Sequence, residues 1–228
     1  MRAYYFKPPN ISWGILFPFV FTLAFYLKSP VDFEKLIPGL LSLSLLFGAT
    51  SMEAIVITFE RMTGALQRLM LYPVSITSIV SGKILGGALF GITVTSAMFA
   101  GLLLFFPVKI SDYLLLIVSA IVSSLTFSAL GAFVSVAVKQ VFEAQTLANF
   151  FRFPMIFLSG VFIPVSSLPI WIKPIAYLLP LTYSVDTIRV SFGYQPEIFH
   201  PLLSLAILMI FTVVLLMLSV RILKNKTS

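Results

Sequence analysis

Polar residues in this chain fall in short clusters that separate long apolar runs. The runs extend from about Ile11 to Leu27, Leu36 to Phe59, Ile84 to Phe106, Tyr113 to Val138 and Phe199 to Leu223. A helix needs about 20 apolar residues to cross a hydrocarbon core of roughly 30 Å, so each run can span, the first only just. Between the fourth and the last lies a different region. Residues 154–201 hold seven of the fourteen prolines: Pro154, Pro164, Pro169, Pro174, Pro180, Pro196 and Pro201. Proline has no N–H and clashes with the preceding turn, so no single helix passes through that segment intact. The pattern predicts a fifth span from about Leu147 to Ile163, then two short helices near the outer interface. The first starts after Ser166 or Ser167 as N-cap, takes Pro169 into its first turn and ends before Pro180; the second runs from Thr182 to Gly193. Trp171, Tyr177, Tyr183 and Tyr194 suit an interfacial depth, where an apolar ring and a polar tip are both accommodated. The expected fold is all-α: a polytopic membrane protein with six transmembrane helices and short re-entrant helices between spans 5 and 6, forming one domain over residues 1–228.

Composition agrees with the pattern. Hydrophobic residues make up 59% of the chain and charged residues 10%, too little polarity for a water-soluble surface. Six spans consume nearly the whole length, so a nucleotide-hydrolysing or nucleic-acid-binding module has to sit on another chain. The formal net charge of +7 reports topology rather than a nucleic-acid partner, because the basic residues occupy short loops between apolar runs. With the N-terminus inside, Arg2, Lys7, Arg61, Arg68, Lys83, Lys139, Arg152, Arg221, Lys224 and Lys226 are cytoplasmic. Only Lys28, Lys35, Lys109, Lys173 and Arg189 are then outside. This bias places both termini in the cytoplasm. The start, Arg2 and Lys7 before an apolar run, lacks a small-x-small cleavage site and reads as an uncleaved first span.

Enzyme chemistry finds little purchase. Cysteine is absent, which excludes disulfides, thiolate metal sites and a cysteine nucleophile. The single histidine, His200, stands at the outer start of the last span, and the three aspartates, Asp32, Asp112 and Asp186, lie in outer loops. Neither a metal cluster nor an intramembrane protease dyad can be assembled from them. Gly82-Lys83 looks like the end of a phosphate loop, but Ile84 follows where Ser or Thr is required. No cofactor is therefore expected on this chain. Two ionisable residues lie within spans near their inner ends, Glu53 and Arg152. A charge at the bilayer centre costs roughly 2.5–3.5 kcal/mol on insertion scales, so each either reaches the inner interface by stretching its side chain or pairs with the other across the bundle. Small residues at four-residue spacing, Gly82/Gly86, Gly87/Gly91 and Ala120/Ser124/Ser128/Ala132, mark faces where backbones can approach closely.

The cytoplasmic segment after span 2 carries the most specific pattern. Its charges hold it at the water boundary, Pro73 ends its helix, and Leu66, Leu69, Met70 and Pro73 share one face at helical spacing. Glu60-Arg61, Gly64, Leu66, Arg68-Leu69 and Pro73-Val74-Ser75, followed by Gly82-Lys83, resemble the first cytoplasmic loop of ABC-2 type permeases, the membrane subunits of a large group of ABC exporters. A second block comprises Leu158 to Pro164 with Gly160, then Ser167-Leu168-Pro169, Trp171 and Pro180-Leu181-Thr182-Tyr183, with Asp186 and Arg189. It resembles that family's region between the fifth and sixth spans. Such permeases usually begin with an amphipathic helix along the inner membrane surface, whereas this chain enters its first span after about ten residues that include Pro8 and Pro9.

The resemblance implies a half-transporter. Two copies, or one copy and a homologue, would form the pathway, and separate ABC ATPase subunits, holding the ATP and Mg, would dock on the helix around Thr63 to Leu71. The coupling residues would be Glu60, Arg61, Gly64, Leu66, Arg68, Leu69, Met70 and Pro73. Gly160, Pro164, Pro169, Trp171, Pro180, Tyr183, Asp186 and Arg189 would form the outer re-entrant region, with Asp186 and Arg189 paired at i, i+3 and facing water. The implied task is export of an amphiphile of the drug, lipid or oligosaccharide class from a prokaryotic cytoplasm across the plasma membrane. A non-transporting membrane scaffold or assembly factor is the alternative, and a secondary transporter the third, weakened by the lack of a midplane carboxylate.

The charge bias leads directly to an accessibility test, which the absence of native cysteines keeps clean. Single cysteines at Ser75 and Ser228 are expected to be shielded from an impermeant thiol reagent in intact cells, and one at Ser111 labelled. Labelling at Ser75 from outside reverses the orientation.

Overall fold

The fold was obtained as a computed structural model, and it describes residues 14, 16–28, 33–106 and 108–227. Nine α-helices are present among them: α1 (Phe17–Lys28), α2 (Phe33–Met62), α3 (Ala65–Met70), α4 (Ile76–Phe105), α5 (Tyr113–Ala137), α6 (Val141–Leu158), α7 (Lys173–Tyr177), α8 (Pro180–Ser191) and α9 (Pro201–Thr227). There are no strands among the described residues. Four helices, α2, α4, α5 and α9, are long and apolar enough to cross a membrane. The first expected span falls partly outside the described residues, as does the N-terminal arm with Arg2, Lys7, Pro8 and Pro9. The α6 helix, where the fifth span was expected from Leu147, starts earlier, at Val141, and ends at Leu158.

Helix starts follow local chemistry. Ser75 caps α4, its Oγ accepting from the Ser78 N–H at 3.1 Å, and Asp112 caps α5 by accepting from the Leu115 N–H at 2.9 Å. Between α2 and α3 the chain turns at Gly64, whose φ of 72° lies in the left-handed region that a side chain disfavours.

The packing is inside-out relative to a soluble bundle. The most apolar helix, α9, is only 22% buried along its central window, whereas that of α2, richer in Ser, Thr, Gly and Ala, is 100% buried. In lipid, apolar side chains gain little by facing inward, so small and weakly polar residues can take interior positions beside the buried Leu45, Leu46 and Phe47. The α2 helix is therefore a central post, packed mainly by α5 and α4, then by α6, α8 and α1.

The contacts on α2 are close backbone approaches. A Cβ at Gly131 of α5 would stand 2.6 Å from the Thr50 carbonyl oxygen, and one at Gly87 of α4 would stand 2.3 Å from Glu53 Cγ. The serines of the α5 stripe serve as interhelical donors. Ser124 Oγ donates to the Ala88 carbonyl and Ser128 Oγ to the Ile84 carbonyl, both at 2.7 Å, stitching α5 to α4. Thr126 Oγ1 donates to the Leu208 carbonyl of α9 at 3.1 Å. At one side, Phe17 of α1 packs on Phe47 of α2 with ring centroids 4.3 Å apart, and Phe25 stacks on Phe162 at 4.5 Å. These rings pin α1 against the post and the chain beyond α6.

The proline-rich region is less helical than its pattern predicts. The first short helix is replaced by a 3₁₀ turn, Val165–Ser167, and the five-residue α7. Leu168 precedes Pro169 and is driven into an extended conformation with ψ of 147°, so a helix begun at Ser167 cannot continue. Helix resumes only at Lys173, where Pro174 is tolerated in the first turn. The second short helix is present, and Pro180 takes its first position.

The close approach at α2 gives a paired expectation. Gly131→Ala should lower stability by about 1–3 kcal/mol, since the new methyl meets backbone rather than a side chain that can swing away. Gly82→Ala, whose Cβ meets nothing within 4 Å, should change it by less than about 0.5 kcal/mol. Thermal unfolding of the detergent-solubilised variants measures both, and equal losses would show that the glycine at Gly131 is not set by packing.

Candidate functional site

The loop segment singled out in the sequence forms the end of a hairpin between α2 and α4, and local contacts fix its shape. Glu60, near the end of α2, accepts an ion pair from Lys83 of α4 at 2.5 Å. Arg61 reaches sideways, its Nη1 donating to the Val136 carbonyl at 3.4 Å and its Nη2 to that of Val138. Lys226, in the last turn of α9, donates to the Val136 carbonyl at 2.6 Å. The carbonyls that end α5 are thus satisfied by two cations, which also suit the negative end of its dipole. Both Glu60 and Arg61 are engaged within the chain.

Leu66 is the only buried residue of α3, 2% exposed, and packs with Ile57, Val80, Ile84 and Leu223. Met70 packs against the same cluster. The expected docking face of Leu66, Leu69, Met70 and Pro73 is therefore split. A six-residue helix needs its own anchor on the bundle, and Leu66 and Met70 supply it. Leu69, 39% exposed, faces outward with Leu71 and Tyr72, 86% and 66% exposed. Arg68 and Pro73 are exposed beside them, and Arg68, Leu69 and Tyr72 line a surface hollow of about 400 Å³ with Thr63 and Ala65.

Glu53 and Arg152 do not meet; no ion pair links them among the described residues. Glu53, 2% exposed, lies in the seam between α2, α4 and α5 against Gly87. Arg152, fully buried, places its guanidinium 5.0 Å from the Phe47 ring centroid and donates from Nη1 to Asn149 Oδ1 at 3.1 Å. Phe47 and Glu53 are six residues apart, hence rotated by roughly 240° about α2, so the two charges address different sides of the post.

The opposite end of the bundle is closed by a hub that the sequence reading missed. The Glu197 carboxylate accepts from Arg189 Nη1 at 2.9 Å and from the N–H and Oγ of Ser166 at 2.9 and 3.1 Å. Its own N–H donates to Asp186 Oδ1 at 2.7 Å. Asp186 is 3% exposed, and that burial raises its pKa above the ordinary carboxylate value, opposed by backbone N–H groups. The expected water-facing Asp186–Arg189 pair is thus absent. One member faces the interior, and the other pairs with Glu197 and lies over Tyr194, 5.7 Å from its ring centroid.

The other residues expected in the re-entrant region are spread along the same stretch of chain. Gly160 turns the chain after α6 with φ of 81°, and the Tyr183 hydroxyl donates to the Tyr177 carbonyl at 2.6 Å. Pro164, Pro169 and Trp171 are exposed, whereas Pro180 is buried at the start of α8. Only the position of Glu197, after Pro196 in a short loop between α8 and α9, could have drawn attention to it.

Comparison with known proteins agrees with this architecture. The profile of the family described as ABC-2 type transporter matches residues 3–193. The inner membrane transport permease YadH of Escherichia coli strain K12 is 23% identical over 159 residues, covering 70% of this chain and 62% of that protein. The chain thus spans less than two thirds of that relative's length. The putative transport permease ycf38 of Cyanophora paradoxa is 26% identical over 250 residues, covering 96% of this chain and 84% of that protein. Nodulation protein J of Rhizobium leguminosarum bv. viciae is 40% identical over 73 residues, 32% of this chain and 28% of that protein.

The hub generates a stability test. Glu197→Ala should cost about 1–3 kcal/mol by leaving Arg189 and Ser166 without their acceptor. In a double-mutant cycle with Arg189→Ala, the losses should fall short of additive by at least about 0.5 kcal/mol. Strict additivity would mean the ion pair carries no coupling.

Proposed function

This chain belongs to the ABC-2 type transporter family, and we propose that it is the membrane permease subunit of an ATP-driven exporter whose energy comes from a separate ABC ATPase. Permeases of this family work with such a partner. The observation that carries the reading is the outward face at the α2–α4 turn, where Leu69, Leu71 and Tyr72 stand exposed beside Arg68. Exposed apolar groups next to a cation, mounted on a hairpin braced by the Glu60–Lys83 pair, suit a helix-end contact with a groove on a soluble partner.

In this proposal α1 and α6 complete six spans with α2, α4, α5 and α9, and the whole chain is a single domain. The α2–α4 turn and both termini face the cytoplasm. The 3₁₀ turn, α7 and α8 lie in the outer leaflet as a re-entrant lid held by Glu197, with the exposed Ile170, Trp171 and Leu178 at interfacial depth. A second copy or a homologue completes the pathway. The cargo is an amphiphile of the drug, lipid or oligosaccharide class, moved outward through the plasma membrane of a prokaryote. ATP and Mg stay on the partner, and this chain supplies no catalytic residue.

Two substitutions three residues apart test the docking. Burying a leucine is worth roughly 1.5–3 kcal/mol, so Leu69→Asp should weaken ATPase binding tenfold or more while leaving the permease inserted. Leu66→Asp should instead reduce folded protein, because its charge enters the chain's own core. Co-purification of the ATPase with each variant, at matched membrane levels, gives the readout. Wild-type stoichiometry and export with Leu69→Asp would remove this face from the coupling.

A further inference from the structure

Between α2 and α4, beside Leu69 of α3, lies a cavity of about 410 Å³ lined by Glu53, Glu60, Lys83, Gly82, Gly86 and Ser78, among others. Its polar groups are poorly matched. Glu60 and Lys83 neutralise each other at 2.5 Å, which leaves Glu53 as the carboxyl group without a paired cation. Glu53 Oε2 and Glu60 Oε2 are both buried without a hydrogen-bond partner, and the residues are 2% and 8% exposed. A buried carboxylate oxygen with nothing to accept from costs free energy that a ligand donor would recover. Arg152, the other deeply buried charge, lies on another side of α2 over the Phe47 ring and offers nothing to this cavity.

The two glycines of α4 hold the cavity open. A Cβ at Gly82 would meet nothing within 4 Å, and one at Gly86 would meet only Glu53 Oε1 at 3.9 Å. Gly82 and Ser78 are exposed at the mouth. On the inner side a Cβ at Gly87 would collide with both Glu53 Cγ and Ser128 Oγ, at 2.3 and 2.5 Å, so the Glu53 side chain is wedged in place. The cavity therefore has a fixed acceptor at its base, an apolar wall of Met52, Val56 and Ile79, and an open entrance at the end of the bundle where α3 lies.

We infer that this cavity binds the ammonium group of an amphiphile, with Glu53 as the principal acceptor and Glu60 as the second. A single carboxyl group without a paired cation suits a monovalent ligand, the two unpartnered oxygens fit the several donors of an –NH₃⁺ group, and the apolar wall receives the adjoining methylenes. The site does not depend on the transport reading, since it requires only that this end of the bundle lie at a membrane surface. A primary ammonium can come from a phospholipid headgroup or from a free amphiphilic amine.

The full chain in phosphatidylcholine nanodiscs, probed with radiolabelled dodecylamine by scintillation proximity, tests the site. Saturable binding is expected, with no comparable binding of radiolabelled dodecanol. Glu53→Gln keeps the shape of the side chain and should weaken dodecylamine binding at least tenfold. Gly82→Leu, which projects into open space and fills the entrance, should weaken it at least fivefold without touching either carboxylate. It keeps the question answerable should Glu53→Gln fail to fold. Repeating the titration in phosphatidylethanolamine nanodiscs identifies the source. A fall in dodecylamine affinity there assigns the site to a lipid headgroup, and unchanged affinity assigns it to free amphiphilic amines. Wild-type affinity in both variants, or equal binding of dodecanol, overturns the inference.

Discussion

Everything in this bundle is arranged around a helix that lipid does not reach. Because α2 is enclosed over its whole central window, its neighbours must approach closely enough to exclude lipid while gaining no hydrophobic free energy by doing so. The remaining attractions are dispersion between fitted surfaces and hydrogen bonds across helices. Both need small side chains, hence Gly131 against the Thr50 carbonyl and the Ser124 and Ser128 hydroxyls on α4 carbonyls. Leu40, Leu45, Phe47 and Phe127 still fill the interior, and further apolar bulk faces outward on α9 and the outer faces of α4, where acyl chains are the solvent.

The two ends of the bundle solve a second problem, the unsatisfied groups where helices stop in or near a low-dielectric medium. At one end, cations from α2 and α9 converge on the carbonyls of α5, and Glu60 holds Lys83 where the α2–α4 hairpin closes. At the other, one carboxylate gathers a 3₁₀ turn and α8. Charges in this chain are few, and several near the helix ends act as fasteners. The apolar residues at the α2–α4 turn are left outward by default, since α3 is too short to seat more than Leu66 and, in part, Met70.

The long apolar runs were legible because length and charge alone define them. Tyr113–Val138 was expected and Tyr113–Ala137 is the helix. A charge does not by itself bound a span: α4 begins at Ile76, seven residues before Lys83, because Glu60 neutralises that lysine and Ser75 supplies the cap. Composition also did not say which span is central, although the Ser, Thr and Gly of α2 were the available signal. Pairings were the least legible. Glu53 and Arg152 looked like partners because depth along a helix can be read from sequence, whereas rotation about α2 relative to its neighbours cannot. Glu197 was invisible for a related reason, since its partners at Ser166, Arg189 and Asp186 are joined to it only by the fold.

The fastening of α5 by Lys226 sets an order on how this protein can be made. The Val136 carbonyl leaves the ribosome ninety residues before the second of the two cations that satisfy it, and Ser166 precedes Glu197 by thirty-one. While the nascent chain enters the membrane, the helices can already pack around α2 and Arg61 can already reach the end of α5, yet Glu197 and Lys226 arrive only with the last part of the chain. The Glu197 latch engages just before the last helix begins, and the Lys226 latch only in its final turn. Assembly of this bundle thus has a sequence-encoded last step, and an interruption late in synthesis would leave a nearly complete protein without the Lys226 clasp on α5.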